Sequence, residues 1–332
     1  MTRKRILLVL TAALLAACSP RLQEPGPHIQ NSMHPTLTKT HYVTKDGTRL
    51  PLRRWGPESA PRGVLLALHG FNDYSNAFSS IGPWLAEHGI ATLAYDQRGF
   101  GQSGQKGIWP GHNVLADDAH GAIAAIRDSY PDVPIYALGE SMGGAVLMTA
   151  GNPEPLNIDG VILVAPAVWG RATIPAYQRA TLWVFAHTMP WLSFSGKGIK
   201  RHPSDNIEML KALGRDPHVI RNTRVDSMWG IVNLMDEALA AASSVQAPAL
   251  LILGAHDDIV PPAASRRMID ALPTGPGTQH TIAVYDNGYH MLLRDLQGET
   301  VWQDILGWID DPAAALRSGA DHSDPKSRLP NN

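Results

Sequence analysis

Ile135-Tyr-Ala-Leu-Gly-Glu-Ser141-Met-Gly-Gly-Ala-Val-Leu-Met-Thr149 is the stretch that decides how this chain is read. A short apolar run breaks at Gly139 and resumes beyond Gly144, which predicts a strand, a sharp turn and a helix. Gly139-Glu140-Ser141-Met142-Gly143 fits the Gly-x-Ser-x-Gly elbow, in which small residues two places either side of the serine let strand and helix backbones approach closely. The serine is then forced out at the carboxyl edge of the sheet. Its Oγ would sit at the amino end of the following helix, where free N–H groups and the helix dipole favour developing negative charge. A glycine-rich turn with an incidental serine would show the same five residues, so the surrounding chain must decide.

Upstream, Gly63-Val-Leu-Leu-Ala-Leu-His69 and Ile90-Ala-Thr-Leu-Ala-Tyr95 are continuous apolar runs of strand length, as expected of strands buried on both faces. Trp84 to His88 reads as the end of the helix between them, stopped by Gly89. A hairpin with an Asp46-Gly47 turn, from His41 to Trp55, opens the sheet. After His69, Gly70 permits an unusual backbone angle, so an N–H there, that of Phe71, can point at a reacting oxygen. His69 itself reads as a packed structural histidine. Gly99-Phe-Gly101 and Gly104 match the spacing of a dinucleotide fingerprint. No helix-like pattern opens at Gly104, so the helix terminus that would hold a pyrophosphate is missing and no nucleotide is expected. The next helix is predicted from Val114 to Ser129, with Leu115, Ala119, Ala122, Ile123 and Ile126 on one face.

Downstream, Gly160 to Ala165 and Ala249 to Leu253 are two more buried strands, with more than eighty residues between them. A parallel sheet needs one helix in that place, so residues 166–247 must hold an insertion. Its aromatic residues include Trp169, Trp183, Phe185 and Trp191, and Leu182 to Ala186 is apolar on nearly every side. That exceeds what a surface helix on a finished sheet requires, and it predicts a lid whose aromatic residues line an apolar substrate pocket. Thr281 to Tyr285 is the final strand.

Asp257 follows the Ala249 strand directly and His290 lies in the loop before the last helix, so both fall at the carboxyl edge beside the elbow. Asp258 is the rival acid. The order Ser141, Asp257, His290 is the order expected of a nucleophile, acid and base on such a sheet. The scattered histidines show no zinc-ligand spacing such as His-Glu-x-x-His, so neither metal nor other cofactor is expected.

Composition narrows the ligand. The 332 residues are 44% hydrophobic, enough for a large core, and 28 Lys and Arg nearly balance 30 Asp and Glu. There is no field suited to nucleic acid, and a small, largely uncharged ligand fits better. Charged residues reach only 17%, below the roughly 25% of ordinary soluble domains, as though part of the surface were apolar by purpose.

The amino terminus reads as a secretory signal over residues 1–17: basic Met1 to Arg5, an apolar run too short to span a bilayer, then small residues. Leu15-Ala-Ala-Cys18 resembles the lipobox of bacterial lipoproteins, which implies a lipidated Cys18 as first mature residue. Cys18 is the only cysteine, so it has no intrachain disulfide partner. Ser19 in place of Asp favours, by the same resemblance, the periplasmic face of the outer membrane. Residues 18–40, rich in Pro, Gly, Gln and Asn, then read as a tether, and residues 316–332 as a flexible tail.

The motifs together resemble the α/β-hydrolase superfamily and, within it, the monoacylglycerol lipase and lysophospholipase group. The resemblance covers about residues 41–312 and rests on His69-Gly70, Asp96-x-Arg98-Gly-x-Gly-x-Ser103, Gly139-x-Ser141-Met-Gly-Gly144, Gly254-x-x-Asp257 and His290. It implies an α/β-hydrolase fold with a mostly parallel twisted sheet, helices on both faces and an inserted cap. The core would occupy residues 41–165 and 248–315 and the cap 166–247. It also implies Ser141 as nucleophile, His290 as base, Asp257 as its orienter, and Phe71 with Met142 as oxyanion N–H donors. Phe71-Asn72-Asp73 is bulkier than the small residues usual there in monoacylglycerol lipases, so contacts on the glycerol side do not carry over. The expected activity is hydrolysis of single-chain lipid esters. A general carboxylesterase, a phospholipase, a proline-iminopeptidase-like peptidase, which wants acidic residues in its cap, a cofactor-free haloperoxidase and a non-enzymatic lipoprotein scaffold are the alternatives.

Overall fold

The computed structural model describes residues 19–27, 33–57, 59–196, 198, 201–246, 248–275, 278, 280–322 and 324–330. Their centre is a nine-stranded sheet. Strands β1 (Thr36–Leu37), β2 (His41–Val43) and β3 (Arg49–Trp55) run antiparallel at one edge. Beyond them lie β4 (Gly63–Leu68), β5 (Ile90–Tyr95), β6 (Ile135–Glu140) and β7 (Gly160–Val164). The last two strands of the sheet are β10 (Ala249–Gly254) and β11 (His280–Tyr285). The order across the sheet is β1-β2-β3-β5-β4-β6-β7-β10-β11, and from β5 to β11 every pairing is parallel.

The apolar runs of β4, β5, β6, β7 and β10 are buried at every residue, because both faces are covered. The two-residue period divides them: Val64, Leu66 and Leu68 join one core, Leu65 and Ala67 the other. The first core is closed by helices α2 (His112–Ser129), α3 (Met142–Ala150), α6 (Val225–Ala240) and α7 (Pro262–Ala271). The second is closed by α1 (Ile81–Glu87) and α8 (Gly298–Asp310). Trp308 of α8 is fully buried there.

Three segments differ from expectation. Within residues 166–247, α6 buries Ile231, Val232, Leu234, Met235 and Ala238 in the sheet's own core, so it is the single crossover helix that a parallel sheet requires. The inserted part therefore ends before Val225. It holds α4 (Ala176–Thr188), α5 (Ile207–Arg215) and a two-stranded ribbon, β8 (Ser193–Ser195) with β9 (Asn222–Arg224).

The expected tether, 18–40, is largely attached to the body. Gln23 donates its backbone N–H to Trp109 O at 2.9 Å and its side-chain amide to Ile108 O at 2.8 Å. Gly26 donates to Asp46 Oδ2 at 2.9 Å, and β1 pairs with β2. Backbone groups of a polar segment thus find partners on the loop that follows β5.

The described residues of the expected flexible tail, 316–322 and 324–330, also pack on the body. Leu316, Ala320 and Leu329 are buried, and Val284 of β11 donates to Ala320 O at 3.0 Å. The tail thereby covers the exposed edge strand. Cys18 and the signal segment lie outside the described residues.

Candidate active site

Ser141 stands between β6 and α3 with φ 52° and ψ −112°, a left-handed backbone that a residue with a side chain adopts only under constraint. The constraint is visible. Ser141 N–H donates to Val164 O at 2.9 Å, and Ser141 O accepts from Ala167 N–H at 2.9 Å. The crossing behind it is close enough that a Cβ on Gly143 would lie 2.0 Å from Leu68 O, and one on Gly139 would lie 2.4 Å from the Gly143 carbonyl carbon. Glycine is required at both positions for the strand and helix to meet this tightly.

The loops after β10 and β11 bring the other two groups to the serine. His290 Nε2 lies 2.9 Å from Ser141 Oγ, and His290 Nδ1 lies 2.8 Å from Asp257 Oδ2. In the neutral tautomer the serine hydroxyl donates to Nε2 and the ring N–H donates to the carboxylate. Asp257 is itself held by the N–H groups of Ile259 and Val260, which donate to its Oδ1 at 2.8 and 3.0 Å. Burial pulls the His290 pKa down, but the adjacent Asp257 carboxylate outweighs it through charge and hydrogen bond, and Glu140 adds to it. The imidazole therefore titrates above its ordinary 6.5.

Asp258, the rival acid, points elsewhere: its Oδ2 accepts from His202 N–H at 2.9 Å. His69 is fully buried, its Nδ1 donating to Gly70 O at 2.9 Å and its Nε2 accepting from Gln97 N–H at 3.0 Å. Both ring nitrogens are used structurally, so it is no candidate base.

The turn after β4 lies against Ser141. A Cβ on Gly70 would lie 3.4 Å from Ser141 Cβ and 4.0 Å from its Oγ, so the Gly70-Phe71 backbone borders the space above the hydroxyl. Met142 is the first residue of α3, where helical N–H groups have no partner within the helix. The bulk of Phe71 is turned aside onto Phe100 and Trp109, with ring centroids 5.6 and 6.3 Å away.

Sequence reasoning missed the groups that hold these loops together. Glu140, beside the nucleophile, and Asp73, two residues after Phe71, both accept from Arg294, at 2.9 and 2.7 Å. The inserted segment also grips the site from two sides. Ile220 N–H donates to Asn72 O and Asn72 Nδ2 to Thr223 Oγ1, which ties the turn after β4 to β9. Ser204 donates to Asp295 at 2.6 Å, Asn206 to Arg294 O at 3.0 Å, and Met291 N–H to Pro203 O at 2.8 Å, which tie the histidine loop to residues 203–206. The sequence signal was slight: an acid before the serine and an arginine four residues beyond the histidine.

Of the four expected cap residues, Trp169 is half-buried against the core and Phe185 is half-buried beside Phe194, with centroids 6.3 Å apart. Trp183 and Trp191 differ from expectation, being 54% and 53% exposed. At that exposure neither is enclosed. Helix α4 buries only Ala186, so its all-round apolar sequence leaves apolar groups in solvent.

With this geometry in view, the comparisons with known proteins are decisive for the family. The family described as serine aminopeptidase, S33, a group of α/β hydrolases, matches residues 59–297. The chain belongs to this hydrolase family. It is 24% identical over 286 residues to a monoacylglycerol lipase of Mycolicibacterium smegmatis, covering 82% of this chain and 97% of that one. A monoglyceride lipase of Rattus norvegicus is 25% identical, with 87% and 95% covered. Among solved structures, the monoacylglycerol lipase of Paleococcus ferrophilus superposes with a TM-score of 0.64 at 26% identity, covering 78% of this chain and 98% of that one. The fold predicted from the elbow outward is the fold found, and the chain is an enzyme of that fold.

Proposed function

We propose that this enzyme is a serine hydrolase cleaving carboxylic esters of single-chain lipids, monoacylglycerols or lysophospholipids, through an acyl-enzyme on Ser141. The hydrogen-bonded chain Ser141–His290–Asp257 carries the reading. A serine hydroxyl is a poor nucleophile at neutral pH, so His290 Nε2 takes its proton as Oγ attacks the ester carbonyl carbon. Asp257 holds the ring in the tautomer that leaves Nε2 free and stabilises the imidazolium. The N–H groups of Phe71 and Met142 receive the oxyanion, each worth roughly 3 kcal/mol in the transition state. Collapse expels the alkoxide, which takes the proton back from His290. Water, deprotonated by the same nitrogen, then attacks the acyl group and frees Ser141.

The inserted segment supports a lipid substrate over a peptide. A peptidase must hold a free amino terminus with acidic side chains, and residues 166–224 contain only Asp205, Glu208 and Asp216. All three are occupied: Asp205 accepts from Leu296 N–H, Glu208 from Lys211, and Asp216 from the Tyr74 hydroxyl. The same stretch carries nine Lys and Arg beside the exposed Tyr177, Trp183 and Trp191. Aromatic residues among cations suit a bilayer surface. Lipidation of Cys18 would keep the enzyme beside such a surface, on the periplasmic face of the outer membrane. More than one acyl chain, at ~0.8 kcal/mol per buried CH₂, makes that attachment lasting.

Nitrophenyl esters of rising chain length, with matched monoacylglycerols and lysophospholipids, test the substrate class. Each added carbon should raise kcat/KM several-fold until the binding site is full. A series that is flat or falls beyond acetyl removes the lipid reading while leaving a serine esterase.

A further inference from the structure

Beneath the triad lies an ion cluster that the reaction just described does not use. Arg294 has a side chain 10% exposed, and it spans Glu140 and Asp73, whose side chains are 2% and 7% exposed. Its Nη2 donates to Glu140 Oε2 at 2.9 Å and its Nη1 to Asp73 Oδ2 at 2.7 Å. The three residues sit on three different segments of the chain. Glu140 ends β6 and directly precedes Ser141; Asp73 is in the turn whose Gly70-Phe71 backbone borders the Ser141 hydroxyl; Arg294 is four residues beyond His290. Asp73 N–H donates to Gly70 O at 3.3 Å, so the carboxylate is rigidly joined to that turn.

Building such a cluster is costly in a low-dielectric site, where well-packed apolar residues of similar volume often serve stability as well or better. The fork of a guanidinium reaches two carboxylates at fixed geometry, which a lysine cannot do. The cluster is also unbalanced. Two carboxylates face one guanidinium, one Glu140 oxygen and the Arg294 Nε have no partner among the described residues, and Asp257 adds a third carboxylate. The groups around the His290 ring are Asp257 from the loop after β10, Glu140 from β6, and Arg294 and Asp295 from its own loop. Negative charge therefore predominates around a ring that must become an imidazolium during the reaction.

We propose that Arg294 is a positioning residue that locks nucleophile, oxyanion turn and histidine loop into one register, and that Arg294 and Glu140 set, with opposite sign, the electrostatic field at His290. The proposal rests on the assignment of Ser141 as nucleophile and His290 as base, and deepens it. In Arg294→Lys the charge stays but the fork is lost. Because an error of about 1 Å in placement can cost on the order of 100-fold, kcat should fall 10-fold to 100-fold with KM nearly unchanged. In Glu140→Gln, close in shape and able to accept from Arg294 through its amide oxygen, a favourable negative charge near the imidazolium is removed. The acid limb of kcat/KM should then move to lower pH. In Arg294→Gln an unfavourable positive charge is removed, and the limb should move to higher pH. A purely structural cluster would lower activity in all three without moving the limb in opposite directions.

The experiment is the pH profile of kcat and KM on one nitrophenyl ester for wild type and the three variants, with Ser141→Ala as control. Opposite shifts of the limb and a kcat-only loss in Arg294→Lys support the proposal. Coincident limbs with unchanged kcat overturn it, provided Ser141→Ala is inactive. If Ser141→Ala stays active, the underlying assignment has failed instead. Should Arg294→Gln not fold, Glu140→Gln alone decides, since an unmoved limb there is sufficient to reject the proposal.

Discussion

The loops around Ser141 and the inserted segment over them are built on opposite principles. Around the serine, the polar groups are held by hydrogen bonds: Asp257 accepts two backbone N–H groups and the His290 ring, and His290 is 5% exposed. In the insertion, α5 buries no residue, α4 buries one, and Tyr177, Trp183, Val184, Trp191 and Phe194 are each about half exposed or more. A preorganised electrostatic site needs fixed dipoles, since a dipole that must turn during the reaction gives back much of what it stabilises. A surface that receives acyl chains needs exposed apolar area and tolerance of different shapes. The two are joined by few but specific bonds, from Asn72 to Thr223 and from Asn206 to Arg294 O. The rigid region is expected to respond to substitution steeply and non-additively, the cap gradually and in a substrate-dependent way.

The steepest effect lies in the serine itself. Ser141→Ala should lower kcat by roughly 10⁶-fold, and adding His290→Ala should cost almost nothing more, because groups acting as one unit are not lost twice. Additive losses in a double-mutant cycle would show that the two act separately. Next, Asp257→Asn should cost about 10⁴-fold by presenting the wrong imidazole tautomer. Asp258→Asn should cost little, since that side chain braces His202 and not His290. If Asp258→Asn were the more damaging, the acid would be misassigned.

The pH response follows from the site's charge. His290 must be neutral to accept a proton, and its pKa is raised by Asp257 and Glu140 against the opposing effect of burial. Activity is therefore complete well above that pKa and is lost as pH falls through it, with the acid limb of kcat/KM lying above pH 6.5. A limb below the ordinary imidazole value would mean that burial dominates.

Smaller effects belong to the cap. Trp183→Ser and Trp191→Ser should leave hydrolysis of a short soluble ester within about two-fold, as for most surface substitutions remote from buried structure. The same changes should lower turnover on monoacylglycerol vesicles and vesicle binding. Equal losses on both substrates would make the two tryptophans part of the rigid region after all. Cys18→Ser should abolish fatty-acid labelling and release the protein from membranes with no change in the soluble assay; unaltered membrane association would refute the anchor.

The same contrast explains what could be read from the sequence. Strands buried on both faces show as unbroken apolar runs, so Gly63 to Leu68 and Ala249 to Leu253 were plain, and the elbow between Gly139 and Gly143 carried its own steric reason. That Asp257 and His290 lie beside Ser141 could be expected because one falls just after the Ala249 strand and the other in the loop after the final strand. The Glu140–Arg294–Asp73 cluster was not, since its members lie 154 and 221 residues apart and an ion pair leaves no periodic trace. The end of the insertion was illegible for another reason: Ile231 to Met235 lies within the sheet's core, whereas of Leu182 to Ala186 only Ala186 is fully buried and Trp183 and Val184 are exposed, yet their compositions are alike. The segments at 19–27 and 316–330 look like linkers because they are poor in apolar residues. They are held by backbone hydrogen bonds and a few buried side chains, to which composition is blind.

The most direct test is intact and peptide-level mass spectrometry after brief exposure to a fluorophosphonate, which reacts by preference with an activated serine. One adduct per chain is expected, located at Ser141, absent in Ser141→Ala and formed at least about 100-fold more slowly in His290→Ala, the scale on which a positioned base contributes. An adduct on another residue, or a wild-type protein that hydrolyses esters while Ser141 stays unmodified, would contradict it.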